Sequence, residues 1–256
     1  MPATQLTLTA LRGIKLVEPG DDLGSITVDA FTANALAPED GDVLVVAQKI
    51  VSKAEGRYVD LATVSPSDQA IALARSLDKD PQFVQVVLSE ARRVVRHRPG
   101  LLIVEHRLGF VMANAGIDHS NLPSAEGGER VLLLPKDPDG SARRLHEHLA
   151  GALGAKIGIV ISDSFGRAWR KGTVGIALGA AGLPALIDMR GRPDLFGRAL
   201  QVTETGFADE IAAAAGLVMG QADEAVPMVL VRGLGWSAPE LPAAALVRPA
   251  EHDLFR

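Results

Sequence analysis

The chain contains no cysteine, few aromatic residues and no apolar run that approaches the length of a membrane span. Without cysteine it forms no disulfide, uses no thiolate in catalysis and binds no metal through sulfur. Any metal must therefore be held by oxygen or imidazole, and carboxylate or amide oxygens favour Mg²⁺, Mn²⁺ or Ca²⁺. Aromatic residues make up only 4% of the chain, so we expect an aliphatic core.

Positive charge is also in short supply, because 26 Lys and Arg face 31 Asp and Glu, for a net charge of −5. A general nucleic-acid-binding protein presents a basic face, so nucleic acid is not an expected partner. The first residues, MPATQLTLTALRGIKL, lack the basic start and apolar core of a signal peptide. We therefore expect a cytoplasmic protein with no membrane partner.

Strand-like and helix-like segments interleave along all 256 residues, which predicts an α/β or mixed α+β fold. Buried strands are predicted at 43–47, 131–134 and 157–161, in two tightly joined strands of LLIVEHRLGFVMANAGID, and in VPMVLVRGL. Helices are predicted from Ser65-Pro66 to Leu77, from Asp80-Pro81 to Pro99-Gly100, and in FADEIAAAAGLVMGQ. Residues 237–256 are rich in proline and are expected to form a peripheral tail.

The stretch VISDSFGRAWRKG, residues 160–172, combines hard ligands with cations. Asp163 and Ser164 come directly after the buried run that ends at Ile161. A carboxylate and a hydroxyl in this position are typical of a divalent-cation site in nucleotide enzymes. Arg167, Arg170 and Lys171 follow at once and can hold phosphate or carboxylate groups, so the stretch predicts an anionic partner together with a metal.

Three further segments place polar side chains just past an apolar strand or helix, where a scaffold can aim them at one cleft. In AQKIVSKAEGR, lysines spaced by four could neutralise phosphates, or they could protect a solvated edge strand. NAGIDHSN offers oxygen ligands, or is an Asx-rich turn; its histidine, His119, is given no role. MGQADEAVP offers Gln221, Asp223 and Glu224, or is a solvated turn.

The chain has neither a Walker A loop nor a Gly-x-Gly-x-x-Gly motif after its early strands. Together the four segments instead describe a cleft with oxygen ligands for one or two hard cations and a ring of Lys and Arg for phosphates. This combination predicts phosphoryl transfer, in which catalysis is mostly positioning and charge neutralisation.

The same residues resemble the coenzyme F420-0:γ-glutamyl ligase family. The similar motifs follow one another from about Leu11 to Leu234: DGDVLVVAQKIVSKAEGR, NAGIDHSN, LLLPKDPDGSAR, ISDSFGRAWRKGTVGIALGAAGL, DLFGRALQVTETGFADEIAAAAGLVMGQADE and VLVRGL. The resemblance implies a family-specific α/β fold with two intertwined lobes, a ligase domain over residues 1–236, and a homodimer. Several bacterial relatives carry a further nitroreductase-like domain, which this sequence does not include.

The activity implied by the resemblance is GTP-dependent amide ligation, which joins L-glutamate to F420-0 and then to the growing tail through an acyl phosphate. It also implies Mn²⁺ or Mg²⁺, in two sites, and a stimulating K⁺ ion. The alternatives are a metal-dependent ligase or phosphotransferase for another carboxylated cofactor, and a nucleotide- or F420-binding module without turnover.

The resemblance also assigns site residues. The implied metal ligands are Asp118, Asp163, Ser164 and Gln221, of which Asp118 and Asp163 are also the implied catalytic residues. The implied nucleotide contacts are Leu11, Arg12, Gly13, Ile14, Gln48, Lys49, Lys53, Asn121, Met219, Gly220, Gln221, Ala222, Asp223, Glu224, Ala225 and Val226. Some relatives carry small hydroxyl residues where this chain has Gln48 and Lys49.

Overall fold

The computed structural model describes residues 5–120, 122 and 129–254, and it has the mixed α/β fold that the sequence predicts. The strands are β1 (Thr7–Ala10), β2 (Val43–Ala47), β3 (Tyr58–Asp60), β4 (Ala91–Arg98), β5 (Leu101–His106), β6 (Val111–Ala113), β7 (Arg130–Leu132), β8 (Gly158–Arg167), β9 (Arg170–Ala181), β10 (Ile187–Asp188), β11 (Glu204–Thr205) and β12 (Met228–Arg232). The helices are α1 (Leu23–Ala33), α2 (Gln48–Ala54), α3 (Asp68–Leu77), α4 (Pro81–Glu90), α5 (Pro138–Leu153) and α6 (Phe207–Met219).

The main lobe is built on a five-stranded sheet in the order β1-β12-β2-β8-β9. β2 and β8 are parallel, and the other neighbours are antiparallel. Aliphatic side chains of β2 and β8 alternate between the two faces, so α1, α2 and α5 cover one face and α6 covers the other. The central strands are buried on both sides, which explains their continuous apolar runs.

A second lobe, which we call the inserted lobe (residues 58–133), lies in the chain between α2 and α5. It contains α3, α4, the β3-β7 pair and the sheet β4-β5-β6. Its core is separate from that of the main sheet and includes Leu77, Phe83, Leu102 and Val131. Asp118 belongs to this lobe, whereas Asp163 belongs to the main sheet, so the two lobes meet at the candidate site.

Several predicted boundaries need correction. α3 begins at Asp68, where the Ser67 hydroxyl caps the helix by accepting from the Ala70 N–H at 3.2 Å, rather than at Ser65-Pro66; its end at Leu77 is confirmed. α4 ends at Glu90 and not at Pro99-Gly100, because the chain continues as β4, which pairs with β5. The strand predicted to end at Ile161 runs on to Arg167 as one arm of a hairpin with β9.

Other predictions are confirmed. β2 has the predicted bounds, β5 and β6 are joined tightly, and α6 and β12 lie where their patterns place them. The alternative that AQKIVSKAEGR is a solvated edge strand is wrong, because β2 lies in the middle of the sheet and the lysines are on α2.

The tail is anchored in part, since Ala243 is fully buried and its N–H donates to Asp139 at 2.8 Å. The division of the chain at residue 236 stays a prediction. Among the described residues, no helix is long and apolar enough to cross a bilayer. The cytoplasmic location stays a prediction.

Candidate active site

Four of the predicted site segments reach one edge of the main sheet. The parallel pairing of β2 with β8 ends at Ala47 and Ser162, so the next residues, Gln48 at the start of α2 and Asp163 within β8, lie side by side. β12 runs antiparallel to β2 and begins at this edge, which brings the preceding loop 219–227 to it. β1 ends at the same edge, followed by residues 11–14. The carboxyl ends of parallel strands are the usual position for a ligand in open α/β sheets.

Backbone hydrogen bonds join these segments. The Leu11 N–H donates to the Met228 carbonyl at 3.0 Å, and the Ala47 N–H donates to the Pro227 carbonyl at 2.8 Å. Asn34 exchanges two hydrogen bonds with the backbone of Arg12, at 3.1 and 3.0 Å. The edge is therefore a continuous surface whose backbone geometry is fixed by the fold.

Asp118 arrives from the inserted lobe and is held by two residues at the start of α2. The Gln48 amide Nε2 donates to Asp118 Oδ2 at 2.8 Å, and Lys49 Nζ lies 3.4 Å from Oδ1. The Asp118 backbone also forms an antiparallel bridge with Leu132 of β7, through bonds of 2.9 and 3.0 Å. Both carboxylate oxygens of Asp118 therefore have a positive or donating partner.

The backbone before Asp118 has an uncommon conformation. Asn114, Ala115 and Gly116 are three consecutive residues with positive φ, at 50°, 54° and 68°. A Cβ atom on Gly116 would lie 2.5 Å from Met112 Cε, so only glycine fits without movement. This tight turn brings the chain from β6 to Asp118.

Asp163 lies at the end of the parallel pair, near enough to Asp118 for the two charges to interact. Its carboxylate is partly buried and accepts the Ser164 N–H at 2.8 Å. Burial and the negative charge of Asp118 raise the pKa of Asp163 to about 7, against the opposing effects of this hydrogen bond and of Lys49. When two carboxylates lie close together, the charge of one disfavours ionisation of the other. A bound cation removes this electrostatic penalty.

A divalent metal fits the chemistry of this pair. The described residues contain no group of three or more His, Cys, Asp or Glu placed to hold a metal, so further ligands would be neutral oxygens. An all-oxygen set suits Mg²⁺ or Mn²⁺. The predicted neutral ligands Ser164 and Gln221 come from the other side of the sheet.

The β8–β9 pairing is regular between Ser162 and Gly166, so side chains alternate between the two faces of the sheet. The Ser164 side chain therefore projects from the face opposite to that of Asp163. Its cross-strand partner Gly175 packs so closely on α6 that a Cβ there would overlap the Ala212 carbonyl. Gln221 is exposed just past the end of α6. Ser164 and Gln221 therefore share the α6 side of the sheet edge, and their role as metal ligands stays a prediction.

Lys53 lies one turn of α2 beyond Lys49 and is 9% exposed. Burial and the charge of Lys49 lower the pKa of Lys53, whereas the Asp118 carboxylate opposes this change. The two lysines and Asp118 are thus close enough to affect one another. The predicted convergence of Lys49, Lys53, Asp118 and Asp163 is seen, although each assigned contact with a nucleotide or metal stays a prediction.

The loop 219–226 is shaped by two positive-φ residues, Gly220 at 74° and Ala225 at 53°. Its Glu224 carboxylate accepts the Ala222 N–H at 2.8 Å, and backbone N–H groups lower the pKa of Glu224. Residues 221–225 are exposed, whereas Val226 is buried and belongs to the core beside α6. The loop therefore presents its backbone to solvent from a fixed base.

Three cations of VISDSFGRAWRKG do not join the carboxylate pair within this chain. Arg167, Arg170 and Lys171 surround the exposed tip of the β8–β9 hairpin, where Arg167 donates to the Lys171 carbonyl at 2.9 Å. At about 3.3 Å per strand residue, Arg167 is roughly 13 Å along the chain from Asp163. The continuation of β8 beyond Ile161 causes this separation.

One buried residue of the site has almost no signal in the sequence. Ser52, fully buried on α2, donates from its hydroxyl to Gln48 Oε1 at 2.9 Å. Its only sequence signal is a spacing of four residues from Gln48. Asn121 lies outside the described residues. His119, which was given no role, bonds Glu129 at 2.8 Å and packs on the Phe83 ring.

Comparisons of the sequence with known proteins identify its family. A sequence model described as F420-0:Gamma-glutamyl ligase matches residues 13–233. The Coenzyme F420:L-glutamate ligase of Methanothermobacter thermautotrophicus is 42% identical over 253 residues, covering 98% of this chain and 99% of the relative. The proteins of the same name from Methanopyrus kandleri and Methanocaldococcus jannaschii are 45% and 44% identical, covering 94% and 85% of this chain and 93% and 86% of theirs. On sequence and along nearly its whole length, the chain belongs to the F420-0:gamma-glutamyl ligase family.

Proposed function

We propose that this protein is a ligase of coenzyme F420 biosynthesis that joins L-glutamate to coenzyme F420-0 at the expense of GTP. The terminal carboxylate of F420-0 attacks the γ-phosphorus of GTP, which forms an acyl phosphate and releases GDP. The glutamate amine then attacks the acyl carbon, an amide bond forms, and phosphate leaves with the former carboxylate oxygen. Repetition on the product extends the γ-linked tail.

The observation that carries the proposal is the grouping of two carboxylates and two lysines at the sheet edge. Asp118 and Asp163 are near enough for their charges to interact, with Lys49 beside Asp118 and Lys53 one turn further along α2. A free carboxylate is a poor acyl donor, so it must first be phosphorylated. Phosphoryl transfer is catalysed mainly by positioning and charge neutralisation. Membership of a family whose named relatives ligate glutamate to coenzyme F420 supports the same reaction.

Different residues of the chain would bind the metal ions and the nucleotide. Asp118 and Asp163, with Ser164 and Gln221, would hold the divalent ions, whose contribution when bound is to neutralise charge on the transferred phosphoryl group. Lys49 and Lys53 contribute point charges for phosphate oxygens. Residues 11–14 and the backbone of loop 219–226 border the same edge and are the proposed walls for the nucleotide, together with Asn121 from the family assignment. K⁺ is retained as a proposed stimulating ion.

The experiment is a turnover assay with purified protein, F420-0, L-glutamate, GTP and Mn²⁺. We expect GDP and phosphate to form only when both acceptor substrates are present, and mass spectrometry to show F420-0 extended by glutamate. Phosphate release with another carboxylated cofactor but not with F420-0 would identify a related ligase or phosphotransferase. GTP binding without any turnover would identify a binding module, and either result would overturn the proposal.

We also propose that the protein is a homodimer. In the described residues, several large apolar side chains are mostly exposed, including Trp169, Leu195, Phe196, Val202 and Leu217. Leu195 and Phe196 are consecutive in the chain, and contiguous exposed apolar patches mark association surfaces. Light scattering at micromolar concentration should give twice the chain mass of 26.9 kDa, and a monomer would contradict the proposal.

A further inference from the structure

Gln48 is the first residue of α2 and is only 2% exposed. Both ends of its amide are bonded within the protein: Oε1 accepts the Ser52 hydroxyl at 2.9 Å, and Nε2 donates to Asp118 Oδ2 at 2.8 Å. Ser52 is fully buried one turn further along the helix. These three side chains form a continuous chain of hydrogen bonds from the core of the main lobe to the carboxylate supplied by the inserted lobe.

The orientation of the Gln48 amide follows from the chemistry of its neighbours. An ionised carboxylate can only accept hydrogen bonds, so Asp118 requires the NH₂ group of Gln48. The reversed amide would place its carbonyl oxygen against Asp118, and the repulsion would disfavour that orientation. The Ser52 hydroxyl completes the arrangement by donating to Oε1, which leaves no polar atom of the buried amide without a partner.

We propose that Ser52 and Gln48 act as a positioning relay for Asp118, so that the side chain at position 48 orients the metal-binding carboxylate instead of contacting the nucleotide. This inference rests on the proposed function, because it takes Asp118 as a metal ligand. Groups that hold a metal-binding carboxylate in place commonly change metal affinity by about 10- to 100-fold when they are removed.

The two partners of Asp118 differ in a way that supports this division. Lys49 is 25% exposed, lies 3.4 Å from Oδ1 and also donates to Ser120 Oγ at 3.2 Å, so it keeps a partner when an arriving metal takes its place at Oδ1. Gln48 is neutral, buried and bonded at both ends, so it can stay on Oδ2 while Oδ1 changes its partner. The relay thus fixes one oxygen and leaves the other available.

The test is a mutant cycle in which the dissociation constant for Mn²⁺ is measured by electron paramagnetic resonance without nucleotide or F420-0. Gln48→Met keeps the length of the side chain and removes both hydrogen bonds, and it should weaken Mn²⁺ binding at least 10-fold. Ser52→Ala removes one neutral hydrogen bond of the relay and should weaken Mn²⁺ binding about three-fold. Because Ser52 acts only through Gln48, the double variant should bind no more weakly than Gln48→Met. If the double variant instead lost Mn²⁺ affinity by the product of the two single losses, the relay would be wrong. Unchanged Mn²⁺ binding in both single variants would also overturn it.

Two controls separate positioning from general loosening. Ser52→Thr keeps the hydroxyl and should retain near-native affinity for Mn²⁺. Thr27→Val removes an equally buried helical hydroxyl, which bonds the Leu23 carbonyl at 2.6 Å and has no contact with Asp118. Its affinity for Mn²⁺ should equal that of the unmodified protein, and a loss comparable to that of Ser52→Ala would contradict the inference.

A kinetic measurement distinguishes the relay from a direct nucleotide contact. At saturating Mn²⁺, the KM for GTP of Gln48→Met should return to the value of the unmodified protein, since only metal affinity was impaired. A KM for GTP that stays raised would assign the side chain to the nucleotide and overturn the inference. If the unmodified protein neither binds Mn²⁺ nor turns over, the proposed function fails instead, which is a separate result.

Discussion

The two lobes contribute one carboxylate each to the same cleft, but they hold these carboxylates very differently. Asp118, from the inserted lobe, has the Gln48 amide at one oxygen and the Lys49 ammonium near the other. Asp163, from the main sheet, has a backbone N–H donor, and burial beside Asp118 raises its pKa to about 7. The charge of Asp118 is already balanced by partners within the protein, whereas the charge of Asp163 is not. The difference indicates that the demand for a cation is concentrated at Asp163.

The largest expected effect comes from Asp163→Asn, which keeps the shape and removes the carboxylate on which this contrast depends. Activity should fall by at least about 100-fold, the scale for losing one electrostatic contact in a transition state. Without metal, the melting temperature should rise slightly, because a like-charge contact is relieved. Melting temperatures with and without Mn²⁺ and GTP provide the measurement.

The control is Asp29→Asn, which removes an exposed aspartate of α1. It should keep full activity and full stabilisation by Mn²⁺. If Asp163→Asn were stabilised by metal and nucleotide as much as the unmodified protein, Asp163 would be a turn residue and the assigned mechanism would be wrong.

The pH dependence of stability gives the next effect. The pKa of Asp163 is about 7 in the folded chain, whereas the unfolded chain has the ordinary value of 3.8. Between these two values the folded state keeps a proton that the unfolded state has lost, so the free energy of unfolding should fall as pH rises from about 4 to about 7. The linkage relation limits this contribution to about 4 kcal/mol.

Denaturant unfolding in EDTA across that pH range measures the effect. Asp163→Asn has no such proton to lose, so its stability should fall less steeply than that of the unmodified protein. Parallel curves for the two proteins would show that Asp163 has an ordinary pKa, and the contrast with Asp118 would disappear.

Lys53→Ala addresses the cationic side of the cleft. If Lys53 contacts GTP phosphates, the variant should bind GTP more weakly by about 1.5–3 kcal/mol, the range for hydrogen bonds to charged groups. Isothermal titration with GTP and Mn²⁺ measures this. Lys156→Ala, which removes an exposed lysine at the opposite edge of the sheet, should bind GTP normally. Equal affinities in both variants would remove Lys53 from the site.

The smallest effect is expected from Lys49→Met. This change removes the ammonium group beside Asp118, so the surroundings of Asp118 become more like those of Asp163. The partly exposed ion pair is worth at most about 1 kcal/mol, so the metal-free protein should lose no more than that in stability. Mn²⁺ should then bind about five-fold more tightly, because no ammonium competes for Asp118. Weaker binding of Mn²⁺ would show that Lys49 supports the metal site instead of competing with it.

The sequence predicted the elements whose pattern is local. β2 and α6 follow directly from a short apolar run and from helical periodicity, and both are confirmed. The end of α4 was missed because Val94 and Val95 continue the helical spacing. These residues belong to β4, which forms only because β5 lies beside it. Local spacing contains no information on such a partner.

The same limit applies to the site. Hard ligands and cations identified the segments, but motif resemblance was needed to select Asp118 from what looks like an Asx turn. Ser52 was overlooked because a serine within a short helix has no distinguishing pattern, and its role depends on a buried contact with Gln48. Arg167, Arg170 and Lys171 are close to Asp163 in sequence, yet an extended strand separates them from it in space.

The insertion of one lobe into the other has a consequence for folding. Val43 pairs with Gly158, so the central parallel pair of the sheet closes only after the ends of the whole inserted lobe come together. A disordered segment of that length would make closure entropically unfavourable and slow. The inserted lobe has its own apolar core, so its early collapse would shorten the effective loop. Leu102→Ala, which removes a fully buried side chain of that core, should therefore slow the formation of a sheet that it does not touch.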